Sequence, residues 1–396
     1  MTSISSSDST ELGYGMQAPQ PTRPTGTTER LLAVLSRSRL RPSTIADETV
    51  SRVIRLSLLR AEQGPTAAVL KVARSVPGAA ELRTQTRVLA ELTLHPGLDA
   101  EWRGLLPRTL TLDERADATV SVESYLPGIG LADVLARYPD RAEELTAAAL
   151  SAIAPLHRRT ATFVVVDEFC LLRQWVVEPL ACLTELCRWH DPRLVPEVDR
   201  LQTILREAFV RRHMPVSWTH GNYTPRNVRV AGAQGLVTGI VDWGGAGPSR
   251  LALIDEYLMI LTASCQVERA DLGTVVTERL RAGGLSDRER NVLRAAHDRA
   301  DADIADRERS DEPIDERVAI LLTWLHHAAE LWRKCATHPN HHIWWSSNVA
   351  PVLDAVAAWD GFDVSSARAR AGRGTASGAP VTTSSPFGDA AQTPGH

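Results

Sequence analysis

Between Ser217 and Val230 the chain reads SWTHGNYTPRNVRV, and GIVDWGGAG follows at Gly239–Gly247. The first stretch gathers His220, Gly221, Asn222 and Asn227 in a polar loop between apolar flanks. The second carries an apolar run into Asp242. A polar loop followed by a hairpin that ends in an aspartate is a good way to hold a divalent cation. Asn227 offers an amide oxygen and Asp242 a carboxylate. Mg2+ favours hard oxygen ligands, few of them from protein and the rest from phosphates and water. Phosphoryl transfer needs such a metal, because it must bridge β- and γ-phosphate oxygens. The simpler alternatives are that Asn227 caps a loop and that Asp242 is a turn residue ahead of Trp243.

A lysine adds to this set. Of 44 basic residues only Lys71 and Lys334 are lysine, and the rest are arginine. A lysine kept against that bias is a candidate for a compact point charge on a slim stem, which arginine does not provide. Lys71 lies in AAVLKVA, which reads as a buried strand; the alternative is a surface lysine on an edge strand.

The elements around these residues fall into two kinds. A short helix is expected over Glu29–Arg41, and strands over Thr49–Leu59 and Ala67–Ala73, joined at the Gly64–Pro65 breaker. A helix over Ala80–Leu94 and strands at Thr109–Leu112 and Ala118–Tyr125 complete a small mixed lobe. Beyond Pro127–Gly128 the periodicity is mainly helical: Leu131–Tyr138, Arg141–His157, Leu171–Trp189, Val195–Arg211, Leu253–Ala263, Arg269–Ala282, Asp287–Ala305, Asp315–Cys335 and Asn348–Trp359. Short β pieces interrupt it at Val228–Val230 and Gly239–Val241. The expected organisation is an arm at 1–28, an N-lobe at 29–127, a helical C-lobe at 128–364 and a tail at 365–396. Arm and tail are rich in Gly, Ala, Ser, Thr and Pro and read as disordered.

Composition limits the function classes. The 396 residues are 43% hydrophobic and 23% charged, with a net charge of −4, so the electrostatics give no case for nucleic acid as a partner. No apolar run approaches the ~20 residues that a membrane-spanning helix needs, and the first 28 residues do not read as a signal peptide. A cytoplasmic location with no membrane partner is the expectation. The five cysteines form no CxxC pair and read as reduced thiols.

The segment His220-Gly221-Asn222, four residues, Asn227, followed by Ile240-Val241-Asp242-Trp243, resembles the catalytic loop and metal-binding segment of aminoglycoside phosphotransferases and choline-kinase-like enzymes. The resemblance covers roughly residues 30–360. It implies a bilobal α+β protein-kinase-like fold, with a small β-rich N-lobe and a larger, mainly helical C-lobe. It implies ATP or GTP with Mg2+ as cofactors, and a hydroxyl of a small molecule as phosphoryl acceptor. By the same resemblance, Asn227 and Asp242 hold the metal and Lys71 grips the nucleotide phosphates. The phosphate-covering turn between the first strands has no Gly here, and Thr49 and Ser51 are its only obvious donors; backbone groups near Ser124 and Leu126 in the hinge-like ESYLPG take the adenine. Asp255 stabilises loops. His220 belongs to the catalytic loop and is expected to stabilise it rather than do chemistry.

This chain departs from the pattern at several points. Asn222 stands where the family has its catalytic aspartate, and an amide is no base at physiological pH. The helix glutamate that pairs with the strand lysine falls at Gln85, with Glu81 one turn earlier as a substitute. Gly244–Gly245 replaces the acidic residue after Asp-Trp, removing a negative charge near the metal. The alternative reading is a pseudokinase, a scaffold that binds nucleotide or a peptide or protein partner. His338, His341 and His342 are expected in a solvated or substrate-edge loop rather than a zinc site. Half or more of Trp324, Trp332, Trp344, Trp345 and Trp359 are expected in the core.

Overall fold

In a computed structural model, the described residues are 40–42, 54–61, 66–73, 75–114, 119–301, 314–335 and 341–359. Ser51, His338, the Gly64–Pro65 breaker and the expected arm and tail lie outside them. The chain divides into two compact units. One takes in residues up to Arg87 together with Pro107–Tyr125, and the other Val88–Leu106 together with Leu126 onward.

The first unit is built on a five-stranded antiparallel sheet in the order β1-β2-β3-β5-β4. Its strands are β1 (Leu40–Pro42), β2 (Ile54–Ala61), β3 (Thr66–Ala73), β4 (Thr109–Glu114) and β5 (Thr119–Ser124). Leu40 and Arg41, expected at the end of a helix, pair instead with Ala61 and Arg60 of β2. Helix α1 (Val76–Leu94) follows β3, and the Ser75 hydroxyl accepts the Gly78 N–H at 3.2 Å, relieving one orphan donor of its first turn. Leu82 and Gln85, three residues apart on one face of α1, are both buried, as are Ala68, Leu70, Val120 and Val122 of the sheet.

The second unit is mainly helical. After the last turns of α1 and the short α2 (Ala100–Arg103) come α3 (Leu131–Arg137), α4 (Ala142–Arg159), α5 (Glu178–His190) and α6 (Val195–Phe209). Then follow α7 (Ala252–Glu268), α8 (Leu272–Ala282), α9 (Asp287–Asp301), α10 (Glu316–Cys335), α11 (His341–Asn348) and α12 (Ala350–Ala357). Two three-stranded sheets are set among them. One has the order β10-β9-β6, with β6 at Ile129–Gly130, β9 at Val228–Val230 and β10 at Val237–Ile240. The other is β11-β8-β7, with β7 at Thr162–Val165, β8 at His213–Thr219 and β11 at Gly247–Arg250. The core is filled by long apolar side chains around Trp175, Trp243 and Trp324, all nearly fully buried. Trp332 and Trp345 join it.

His341 and His342 open helix α11 rather than lying in a loop. His341 Nδ1 meets His190 Nε2 at 3.1 Å, and the His190 ring stacks on Trp345. Burial, together with the neighbouring His341 and His342, holds His190 below the usual histidine range. Among the described residues no three His, Cys, Asp or Glu side chains come together as a metal site, and no helix is long and apolar enough to cross a membrane.

Candidate functional site

The loop 220–227 takes its shape from one buried carboxylate. Asp255, on the first turn of α7, is fully buried. Its Oδ2 accepts the His220 backbone N–H at 2.6 Å and meets His157 Nε2 at 3.0 Å, while Oδ1 accepts the Gly221 N–H at 2.9 Å. Burial by itself would push this carboxyl up. The His157 hydrogen bond and charge, with His220 beside it, outweigh burial and hold it below the usual carboxylate range. Gly221 has φ +77°, and a Cβ there would run into the Gly245 carbonyl, so glycine is required for both conformation and space.

His220 acts within this frame. Its Nε2 donates to the Val241 carbonyl at 2.9 Å and its Nδ1 accepts the Asn222 N–H at 3.3 Å. The ring therefore ties the 220–227 loop to the residue before Asp242. It packs on Trp243 and Tyr223, with centroids 4.7 and 5.7 Å away, and the Tyr223 hydroxyl donates to Ala149 of α4 at 2.6 Å.

Asn227 and Asp242 are brought together by the β9–β10 hairpin. Ile240 pairs with Val228, and past the end of that register the Val241 N–H donates to the Asn227 carbonyl at 2.9 Å. Asn227 Nδ2 donates to the Asn222 carbonyl at 2.9 Å, which leaves its Oδ1 as the uncommitted hard donor. Asp242 adopts a left-handed conformation (φ 68°, ψ 57°), and its carboxylate caps no backbone N–H of the turn it opens. An amide oxygen and a carboxylate on adjoining hairpin ends are a donor set that fits Mg2+. Asn222 is bound through its backbone. Its side-chain Oδ1 is buried and has no hydrogen-bond partner among the described residues.

Two features of this unit escaped the sequence reading. Glu330 of α10 brings its carboxylate to Gly245: its Oε1 lies 3.5 Å from where a Cβ on Gly245 would stand. Negative charge is therefore present beside Gly244–Gly245 although the motif itself lacks it. Leu126, expected to offer backbone groups to a base, has its side chain packed against Gly239, leaving no room for a Cβ there.

In the first unit Lys71 is buried, and its Nζ lies 2.9 Å from Glu123 Oε2. Gln85, expected to face Lys71, donates its Nε2 to Glu123 Oε1 at 2.7 Å instead, and its own Oε1 has no partner. Glu81 is half-buried on the same helix. The Ser124 N–H, expected near an adenine, donates to the Arg108 carbonyl at 2.8 Å, and its hydroxyl accepts the Arg108 N–H at 2.8 Å. Glu123 was missed as a partner of Lys71. The available signal was an acidic residue two positions from Ser121, and so on the same face of a strand that pairs with the one carrying Lys71.

Comparison with known proteins bears on the whole arrangement. A search of curated proteins found no match. Among solved structures, a thermostable mutant of aminoglycoside phosphotransferase APH(4)-Ia, in ternary complex with ADP and hygromycin B, aligns with TM-score 0.52 at 13% identity. The alignment covers 85% of this chain and 100% of that one. A second mutant of that enzyme, with AMP-PNP and hygromycin B, aligns with TM-score 0.50 at 14% identity over the same shares. This likeness shows the fold, an α+β protein-kinase-like one. The family model described as "Phosphotransferase enzyme family" (APH) matches residues 53–252, which take in the β2–β3 hairpin, the 220–227 loop, the Asp242 turn and the start of α7. The chain belongs to this phosphotransferase family.

Proposed function

We propose that the protein transfers the γ-phosphate of Mg–ATP to a hydroxyl of a small molecule in the cytoplasm. The observation that carries this reading is the amide oxygen of Asn227 and the carboxylate of Asp242 on adjoining hairpin ends, beside a loop held by Asp255. Mg2+ at these donors would supply charge neutralisation to the β- and γ-phosphates. Lys71 supplies a point charge for the α- and β-phosphates. Asn222 orients the acceptor by taking its O–H hydrogen bond at the otherwise unpartnered Oδ1. An amide does not take the proton, so as the new O–P bond forms and the bond to the β-phosphate breaks to release ADP, the hydroxyl proton passes to a phosphoryl oxygen and from there to water. Phosphoryl transfer depends mostly on positioning and charge, and the missing base costs roughly 10²–10⁴-fold.

The test has two stages. Mg–ATP at millimolar concentration should raise the melting temperature of the native protein, because a ligand that binds only the folded state stabilises it. No shift would refute nucleotide binding. Wild type and Asn222→Asp are then run side by side over a panel of hydroxyl acceptors, and the variant should turn over faster. A protein that binds Mg–ATP while both forms stay silent on every acceptor would be a binding scaffold instead.

A further inference from the structure

The position of Glu123 assigns it a role that the motif reading gave to the helix. Lys71 and Ser121 are register partners on neighbouring antiparallel strands, so they share a face of the sheet. Side chains alternate along a strand, so Glu123, two residues beyond Ser121, is on that same face. It sits diagonal to Lys71, within reach of two long side chains. The reach is used: the ammonium and carboxylate are 2.9 Å apart, and Lys71 and Glu123 are only 8% and 3% exposed. The other carboxylate oxygen is held by Gln85 at 2.7 Å, and Gln85 is itself 1% exposed. In this orientation the Gln85 amide oxygen faces no donor, so it takes no N–H from Lys71.

We propose that Glu123 is the positioning residue for Lys71, replacing a helix carboxylate with one on the adjacent strand of the same sheet. In protein kinases the strand lysine must be paired with a helix glutamate before the site is competent, so helix position controls it. Here both charges are carried by β3 and β5, whose ladder fixes their separation. From helix α1 the neutral amide of Gln85 anchors the far carboxylate oxygen. An ammonium has three N–H donors. One meets Glu123, and the others stay available to phosphate oxygens. The inference rests on the nucleotide-binding reading above for its consequence, but not for the geometry.

The test uses Glu123→Gln, which keeps shape and removes charge, and the double variant Glu123→Gln/Gln85→Glu, which moves the carboxylate to the helix. Two readouts are taken on the full chain. The first is Mg–ATP affinity, with KM and kcat for ATP. The second is the acylation rate of Lys71 by an amine-reactive reagent without nucleotide. It is read in a Lys334→Arg background, in which Lys71 is the sole lysine of the sequence. The single variant should lose about 10–10²-fold in ATP affinity, the scale of one hydrogen bond to a charged group, with the loss in KM exceeding that in kcat. Its Lys71 acylation rate should change severalfold, and the double variant should recover most of both. A single variant with wild-type acylation rate overturns the inference, as does a double variant no better than the single. If the single variant fails to fold, the double variant decides, since it retains the same side-chain types. Wild type that binds no ATP would refute the phosphotransferase reading, and the acylation arm would still judge Glu123.

Discussion

Replacing Asp255 with alanine would take away the acceptor of three hydrogen bonds at once. Two are backbone N–H groups, at His220 and Gly221, and the third is the His157 ring. Hydrogen bonds to a charged acceptor contribute about 1.5–3 kcal/mol each, and buried donors left unpaired cost about 1–3 kcal/mol. The three share one carboxylate and do not add fully. Part of the loss is offset because the variant no longer buries a charge. The expected destabilisation is about 3–5 kcal/mol, a large share of the ~5–15 kcal/mol of a typical domain. Asp255→Asn should lose less, since its one remaining oxygen still serves one N–H while its NH2 opposes the other. Urea unfolding followed by tryptophan fluorescence measures both. The order Ala worse than Asn, worse than wild type, is required. A loss below about 1 kcal/mol for alanine would refute the claim that this carboxylate holds the loop. The pH dependence has a fixed sign. The folded-state carboxyl sits below its ordinary 3.8, so its stabilisation is complete at neutral pH and is lost as pH falls below that value.

Asp242 separates two effects. Asn tolerates the left-handed conformation, so Asp242→Asn should remove the Mg2+-dependent part of ATP affinity and leave stability near wild type, whereas Asp242→Ala should lose both. Unchanged Mg2+ dependence in a titration of either variant would show that the metal is held elsewhere. His326 donates to the Trp175 carbonyl at 2.8 Å. Burial pushes it down to about 4 from 6.5, opposed by that hydrogen bond and reinforced by Arg250 and Arg333. The unfolded chain therefore takes up this proton first, and stability should fall as pH drops from 6.5 through 4. The effect has an upper bound of ~3 kcal/mol, and because His326 keeps some solvent-exposed surface the loss should fall short of it. His326→Gln should flatten that slope, and equal slopes in wild type and variant would remove His326 as its source.

The β2–β3 hairpin, α1, the β4–β5 pair and most second-unit helices were legible because their apolar periods are local. The hairpin that joins Asn227 to Asp242 was legible from spacing. Strand β8 was not: His213–Thr219 contains Pro215, which argues against an interior strand. The structure tolerates it because β11 pairs only with Ser217 and Thr219, so Pro215 faces Phe163 of β7 alone. The expected helix Leu171–Trp189 is interrupted by a wide π-type turn at Arg173–Val177, just ahead of Pro179, which has no N–H to donate. Glu123 and Glu330 escaped notice for a common reason. Each acts through a neighbour distant in sequence, which no local spacing reveals.

Asn222 makes its loop contacts through its backbone: the N–H goes to His220 and the carbonyl receives Asn227. Its side chain takes no part in shaping the loop that carries it. The codons for asparagine and aspartate differ by one base. A lineage built on this frame could therefore pass between an amide and a proton-accepting form in a single mutational step, with no intermediate in which the loop must first be rebuilt.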